Sequence, residues 1–128
     1  QSWILWRDCW AECVEIPLPP LQAITAVTSF ARDGTPTVLD PDSYTVDAAS
    51  QPARILFGCV APMGLRAINA VAIAFDAGYG NAADDVPAPL REAILEITAE
   101  LYVHRGDGPE EISLSAQALL APYRIFNI

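Results

Sequence analysis

Residues 70–105 read AVAIAFDAGYGNAADDVPAPLREAILEITAELYVHR, and the apolar period changes once within them. From Ala70 to Phe75, Val71, Ile73 and Phe75 alternate with Ala70, Ala72 and Ala74. That is the period of two of a β-strand, whose successive side chains leave opposite faces. The alanine side is small enough to lie against a close neighbour. Asp76 carries the strand into a glycine-rich exit, Ala77-Gly78-Tyr79-Gly80. Beyond Asp84-Asp85-Val86-Pro87 the apolar residues are Leu90, Ile94, Ile97 and Leu101, joined by Ala93, which is the spacing of one stripe on an α-helix. Pro87 and Pro89 suit a first helical turn, where a missing amide proton is not needed, and the two aspartates suit the positive end of the helix dipole. A strand that gives way to a helix without returning to strands indicates an α+β fold.

Upstream, the same alternation recurs in short runs. Trp3-Ile4-Leu5-Trp6 and then Trp10 are apolar and aromatic around Arg7 and Asp8, and Val14, Ile16 and Leu18 alternate with Cys13, Glu15 and Pro17. Trp10-Ala11-Glu12 is short enough for a hairpin connection, so these first two strands are expected to pair. Pro17, Pro19 and Pro20 end the pairing, since proline donates no ladder hydrogen bond. Ile24 to Phe30, the turn Asp33-Gly34 and Thr37-Val38-Leu39 form a second hairpin. Further strands follow at Tyr44 to Ala48 and Arg54 to Phe57. Connections this short hold no crossover helices, so an antiparallel meander or sandwich-like arrangement is expected. Downstream, the helix runs to about Arg105, where Gly106-Asp107-Gly108-Pro109 stops it. Ser113 to Leu120 has helical spacing, with Ser113 or Ser115 as a cap, and Pro122 ends it. The expectation is a single domain over residues 1–128. It is β-rich over 1–80 and helical over 86–121, with an extended tail over 122–128.

Composition narrows the function. The chain has 128 residues, 52% hydrophobic and 18% charged, enough for one core and unlike a disordered chain. Sixteen acidic residues against seven basic ones, all arginine, give a net charge of −9, which disfavours gripping a phosphate backbone. No apolar run approaches the length of a bilayer span, and the start lacks the pattern of a secretory leader. Gln1 in place of Met implies a start that was processed, trimmed or cut from something longer. Cys9, Cys13 and Cys59 have no CxxC spacing and cannot all pair with one another; Cys9 and Cys13 could meet across a tight turn, but a reduced cytosolic interior is the simpler expectation, without zinc or any other cofactor.

Few residues carry recognisable chemistry. His104 is the only histidine and stands at a helix end, where a cation suits the dipole. There is no GxSxG, and Gly78-Tyr79-Gly80 lacks the remaining residues of a dinucleotide or P-loop motif. No catalytic residue is assigned. Glu92, Glu96 and Glu100 form an i, i+4, i+8 stripe. Like charges at that spacing do not stabilise a helix, which leaves a solvated face, a surface for a basic partner, or the lining of a space through which something negative slides. The apolar end Ile125-Phe126-Asn127-Ile128 would fray unless packed, either on the chain's own core or in another subunit.

Several segments in order resemble the HK97-type head-tail connector family, the adaptors of tailed phages and gene transfer agents. They are Val14 to Leu21 with Ile24 to Val27, Tyr44-Thr45-Val46-Asp47, Arg54-Ile55, Phe75 to Gly80, Val86 to Ile94, and Ala118-Leu119-Leu120-Ala121-Pro122-Tyr123-Arg124. The resemblance spans nearly the whole chain. It implies a non-enzymatic subunit of a ring of about twelve copies beneath the portal protein, continuing the DNA channel toward a stopper or tail-terminator protein. DNA would pass through without specific binding, and no membrane is involved. Such a particle is assembled in the bacterial cytoplasm, and the chain would reside in its neck. The resemblance places portal binding at Leu120, Pro122, Tyr123 and Arg124, and the tail adds Ile125, Phe126 and Ile128. The acidic stripe Glu92, Glu96 and Glu100 would suit a channel lining or a partner-facing surface. The family opens with helices before its first strand, and Gln1 stands about where they would end, so they are expected to have been cleaved or omitted. The alternative is a small β-rich tail or baseplate module without ring symmetry.

Overall fold

The alternating run at residues 71–77 becomes the most enclosed strand of the protein. In the computed structural model, which describes residues 1–58, 60–105 and 111–124, the chain divides into two compact units, Gln1–Gly78 and Tyr79–Ile128.

The first unit holds seven strands: β1 (Ser2–Arg7), β2 (Cys13–Ile16), β3 (Leu21–Phe30), β4 (Pro36–Val38), β5 (Tyr44–Asp47), β6 (Ala53–Phe57) and β7 (Val71–Ala77). They form a four-stranded sheet in the order β1-β7-β3-β4 and a three-stranded sheet in the order β2-β6-β5. Every pairing is antiparallel, as the short connections predict. Val27, Val71, Ile73 and Phe75 of the larger sheet and Val14, Ile16, Ala53, Ile55 and Phe57 of the smaller one make a single buried cluster. The two inner faces thus share a core in the manner of a β-sandwich. Being paired on both edges, β7 buries even part of its alanine side, with Ala72 buried and Ala74 half-buried.

The expected first hairpin does not form. β1 pairs with β7, Trp3 opposite Phe75 and Leu5 opposite Ile73, whereas β2 pairs with β6, Val14 opposite Ile55. Residues 8–12 cross from one sheet to the other. The physical reason lies in that linker: it has no glycine or asparagine to make a tight hairpin turn. Instead it carries Trp10, whose ring packs on Phe57 at 4.7 Å between centroids, while the Glu12 carbonyl accepts from the Phe57 amide at 2.8 Å. The second hairpin forms as expected, with Thr28 opposite Val38 and Gly34 at φ +90° in its turn. β3 also extends back to Leu21 through two register shifts.

The second unit contains α1 (Ala88–Val103) and α2 (Leu114–Leu120), followed by a 3-10 turn at Ala121–Tyr123. Pro87 caps α1, and the Ser113 hydroxyl caps α2 by accepting from the Ala116 amide at 3.2 Å. The glycine exit requires Gly80, at φ +154°, since a Cβ there would fall on the Asp85 carboxylate. That carboxylate accepts from the Ala82 amide at 2.9 Å, and Asp84 pairs with Arg91 at 2.7 Å.

The inward face of α1 differs from the expected stripe. Only Ala93 of α1 and Ala116 of α2 are fully buried, and Leu90 and Ile97 are half-buried. Ile94 and Leu101 are 58% and 64% exposed, beside Leu95 and Tyr102 at 69% and 67%. The fully buried positions of both helices are thus alanines, and the largest apolar residues of α1 are left outward.

Candidate assembly surfaces

Three surfaces stand out, one expected and two not. The expected one is the end of the second unit. Leu120 and Tyr123 are half-buried, and Pro122 and Arg124 are exposed. Leu120 and Arg124, with Glu111, Ile112 and Gln117, line a cavity of about 550 Å³. The Gln117 side chain donates to the Ile112 carbonyl at 2.6 Å, holding the segment before α2 against the helix. Burial, and secondarily Tyr123, raises the Tyr79 hydroxyl above the usual phenol range, so it stays protonated and able to donate. The remaining expected portal-binding positions, Ile125, Phe126 and Ile128, lie outside the described residues, as do Cys59 and the helix stop at residues 106–109.

The acidic stripe is not uniform. Glu92 is exposed, but Glu96 and Glu100 are half-buried. The Glu96 carboxylate accepts from the hydroxyls of both Ser113, at 3.2 Å, and Ser115. Ser113 thus caps α2 while bonded to α1, and Glu96 ties the two helices together. His104 forms the C-cap of α1, its amide donating to the Glu100 carbonyl at 3.0 Å.

The second surface is the free edge of β1, where Trp3, Ile4 and Trp6 are 46%, 59% and 44% exposed. Trp6 lies 5.6 Å from Phe30, and the Arg66 guanidinium sits 4.2 Å over Phe30 and 5.7 Å from Trp6. Arg66 is held there by donating to the Asn69 carbonyl at 2.7 Å. The signal for this surface was present in the sequence: an unbroken apolar run in a strand means apolar groups on both faces, which an edge strand cannot bury by itself. The third surface is a cavity of about 490 Å³ lined by Trp10, Leu39, Asp40, Ser43, Gly58, Val60, Ala61 and Pro62. The Trp10 indole N–H is buried without an acceptor among the described residues. Val60 and the nearby Met63 are largely exposed.

Electrostatics are strongest in the β5–β6 hairpin. The Asp47 carboxylate accepts from the Ser50 hydroxyl at 2.6 Å and from Arg54 at 2.7 Å. The Ser50 bond first, and then Arg54, hold its pKa down at about 2. Among the described residues no three His, Cys, Asp or Glu side chains converge as a metal site requires, and Cys9 and Cys13 are exposed free thiols. No helix among them is long and apolar enough to cross a membrane.

No protein-family model matches the chain, and no curated protein matches it. Solved structures do. A chain from the neck of a native GTA particle, computed with C12 symmetry, is similar over 100% of this chain and 71% of its own length, with a TM-score of 0.81 at 23% identity. A chain from the neck of an empty GTA particle, computed with C6 symmetry, gives 0.79 at 23% identity over 99% of this chain and 66% of its own length. A chain from the virion of a native gene transfer agent particle gives 0.77 at 22% identity over 99% of this chain and 65% of its own. This chain therefore spans about two-thirds of the length of these neighbours, and at such identities the likeness is one of fold.

Proposed function

We propose that this chain is a structural component of the neck of a gene transfer agent or tailed-phage particle. In this reading it is a head-tail connector that stands as a ring around the DNA channel between portal and tail. The observation that carries it is the match of the whole chain, sandwich and helical unit together, to a chain of a GTA neck with a TM-score of 0.81. Fold alone does not assign function. Here the fold is joined by segments in connector order along the sequence and by exposed apolar surfaces in both units, which a chain built for assembly would carry.

The portal contact is the end of the second unit, Leu120, Pro122, Tyr123 and Arg124, continued by Ile125, Phe126 and Ile128. The half-open cavity beside Leu120 and Arg124 would receive an apolar side chain of the portal, and Arg124 at its rim would meet a portal carboxylate. A ring of about twelve copies fits the C12 symmetry of the neighbouring neck structure. A chain of net charge −9 lining a conduit would repel DNA and keep it from adhering. Of the acidic stripe, Glu92 is free to do this, while Glu96 is committed to α2. The far side of the ring would meet a stopper or tail-terminator protein.

Electron microscopy of this chain mixed with a purified portal ring from the same source tests the reading. Added density beneath the portal with cyclic symmetry, lost when the chain is truncated before Tyr123, is expected. A portal left bare by this chain and by any longer native form of it would overturn the assignment.

A further inference from the structure

A ring of more than two copies needs two different patches on every subunit, one for each neighbour. The chain exposes two such patches, of unlike construction. One is the α1 face of Ile94, Leu95, Leu101 and Tyr102, and the other is the β1 edge of Trp3, Ile4 and Trp6. The β1 edge also carries unpaired ladder groups, and a helix laid along a strand is one of the ways proteins cover such an edge.

Charge distinguishes the two further. In a chain of net charge −9, copies repel unless opposite charges meet locally. Arg91 lies on the apolar side of α1, within roughly 60° of Ile94 around the axis at 3.6 residues per turn, and Arg105 follows just beyond the last helical residue, Val103, which is about 18 Å from Arg91 along the axis. Arg91 holds Asp84 at 2.7 Å through an exposed pair, and Arg105 lies 4.2 Å over the Tyr102 ring. β1 is bracketed by acids. Asp76 stands opposite Ser2 and accepts from its hydroxyl at 2.6 Å, and Asp8, just beyond Arg7, accepts from the Asn69 amide at 2.8 Å. Six strand residues separate the two ends, about 20 Å at 3.3 Å per residue. Arg7, the one cation on the strand, is opposite Val71 and so on the other face from Ile4 and Trp6, while Arg66, 5.7 Å from Trp6, is engaged by the Phe30 ring and the Asn69 carbonyl. An apolar helix face with a cation at each end thus matches an apolar strand edge of the same length with an acid at each end.

We propose that the α1 face of one copy docks on the β1 edge of the next, Ile94 and Leu101 against Ile4 and Trp6, with Arg91 and Arg105 meeting the Asp76 and Asp8 ends. This rests on the ring reading and specifies the contact that closes the ring.

The test uses the full chain assembled on portal rings, with copies per portal counted by mass photometry and folding followed by circular dichroism. Leu101→Asp and Ile4→Asp alter exposed side chains, and each is expected to lower ring occupancy at least tenfold with an unchanged spectrum. Arg105→Glu is expected to do the same. Its defect should be restored by Asp8→Arg or by Asp76→Arg on the same chain, whichever lies opposite. Complete rings from the Leu101→Asp and Ile4→Asp chains, or no restoration by either charge reversal, would overturn the interface and leave the ring reading intact. Stable pairs joined through β1 alone, abolished by Ile4→Asp and untouched by Leu101→Asp, would also overturn it. Failure of the unaltered chain to form any ring would remove the reading on which the interface rests.

Discussion

The two units of this protein solve the problem of burial in opposite ways. The sandwich of residues 1–78 encloses Ile16, Val27, Ile55, Ile73 and Phe75 almost completely, from both of its sheets. The helical unit fully encloses two alanines and leaves Ile94, Leu95, Leu101, Tyr102 and Leu114 outward. Burial of apolar area stabilises by roughly 25 cal/mol per Å², so the first unit draws its stability from within and the second has much of its apolar area still to bury. A core residue in one and a surface residue in the other can therefore carry the same side chain and different consequences.

The sharpest way to break that contrast is to truncate one residue of each kind. Ile73→Ala, in the middle of β7, is expected to cost about 2–5 kcal/mol of unfolding free energy by urea denaturation, because the paired strands cannot collapse onto the void. Overfilling the buried position of α1 comes next. Ala93→Leu should displace α1 from its packing and cost about 1–3 kcal/mol, read as lost helical ellipticity. Ser113→Ala removes the cap of α2 together with one of the two hydroxyls on Glu96. A loss of about 1 kcal/mol is expected, confined by hydrogen exchange to the second unit. In the sandwich, Asp47 sets the pH response of the β5–β6 hairpin. Its folded pKa, about 2, lies below its ordinary 3.8, so its contribution is complete above the ordinary value and fades as pH falls through about 2. An NMR titration of the Asp47 carboxyl that ends near 4 would remove that contribution. The smallest effect belongs to Leu101→Ala, expected within about 0.5 kcal/mol of the unaltered chain in isolation. A loss comparable to that of Ile73→Ala would erase the distinction between the units.

Much of this was legible in the sequence because period is local. The alternation in Ala70 to Phe75 and the step to Leu90, Ile94, Ile97 and Leu101 place β7 and α1 to within a few residues, and of the two candidate caps Ser113 and Ser115 it is Ser113 that caps α2. Pairing was less legible, since it depends on partners distant in sequence. The closeness of the first two strands suggested a hairpin, whereas the Trp10 ring on Phe57 commits the linker to the other sheet. The inward face of α1 was misjudged for a different reason. Hydrophobic spacing ranks residues by transfer free energy, but a tightly packed position takes a small one, and on α1 it is Ala93 that is buried while Ile94 and Leu101 stay exposed. Glu96 looked like one member of a charged stripe until α2 supplied two hydroxyls to hold it. The connector resemblance placed Leu120, Pro122, Tyr123 and Arg124 in one segment, and the structure puts Leu120 and Arg124 on one cavity.

The pairing of β1 with β7 also orders events during synthesis. Trp3 and Phe75 face each other across most of the first unit, so β1 leaves the ribosome long before its partner exists. The β3–β4 and β5–β6 hairpins close from neighbouring residues and can form early, but contacts of such long sequence separation form late. Through that interval Trp3, Ile4, Leu5 and Trp6 remain an unpaired apolar strand, the kind of segment that chaperones bind and aggregates recruit. Translation pausing before residue 71 would therefore be expected to lower soluble yield more than pausing after residue 78.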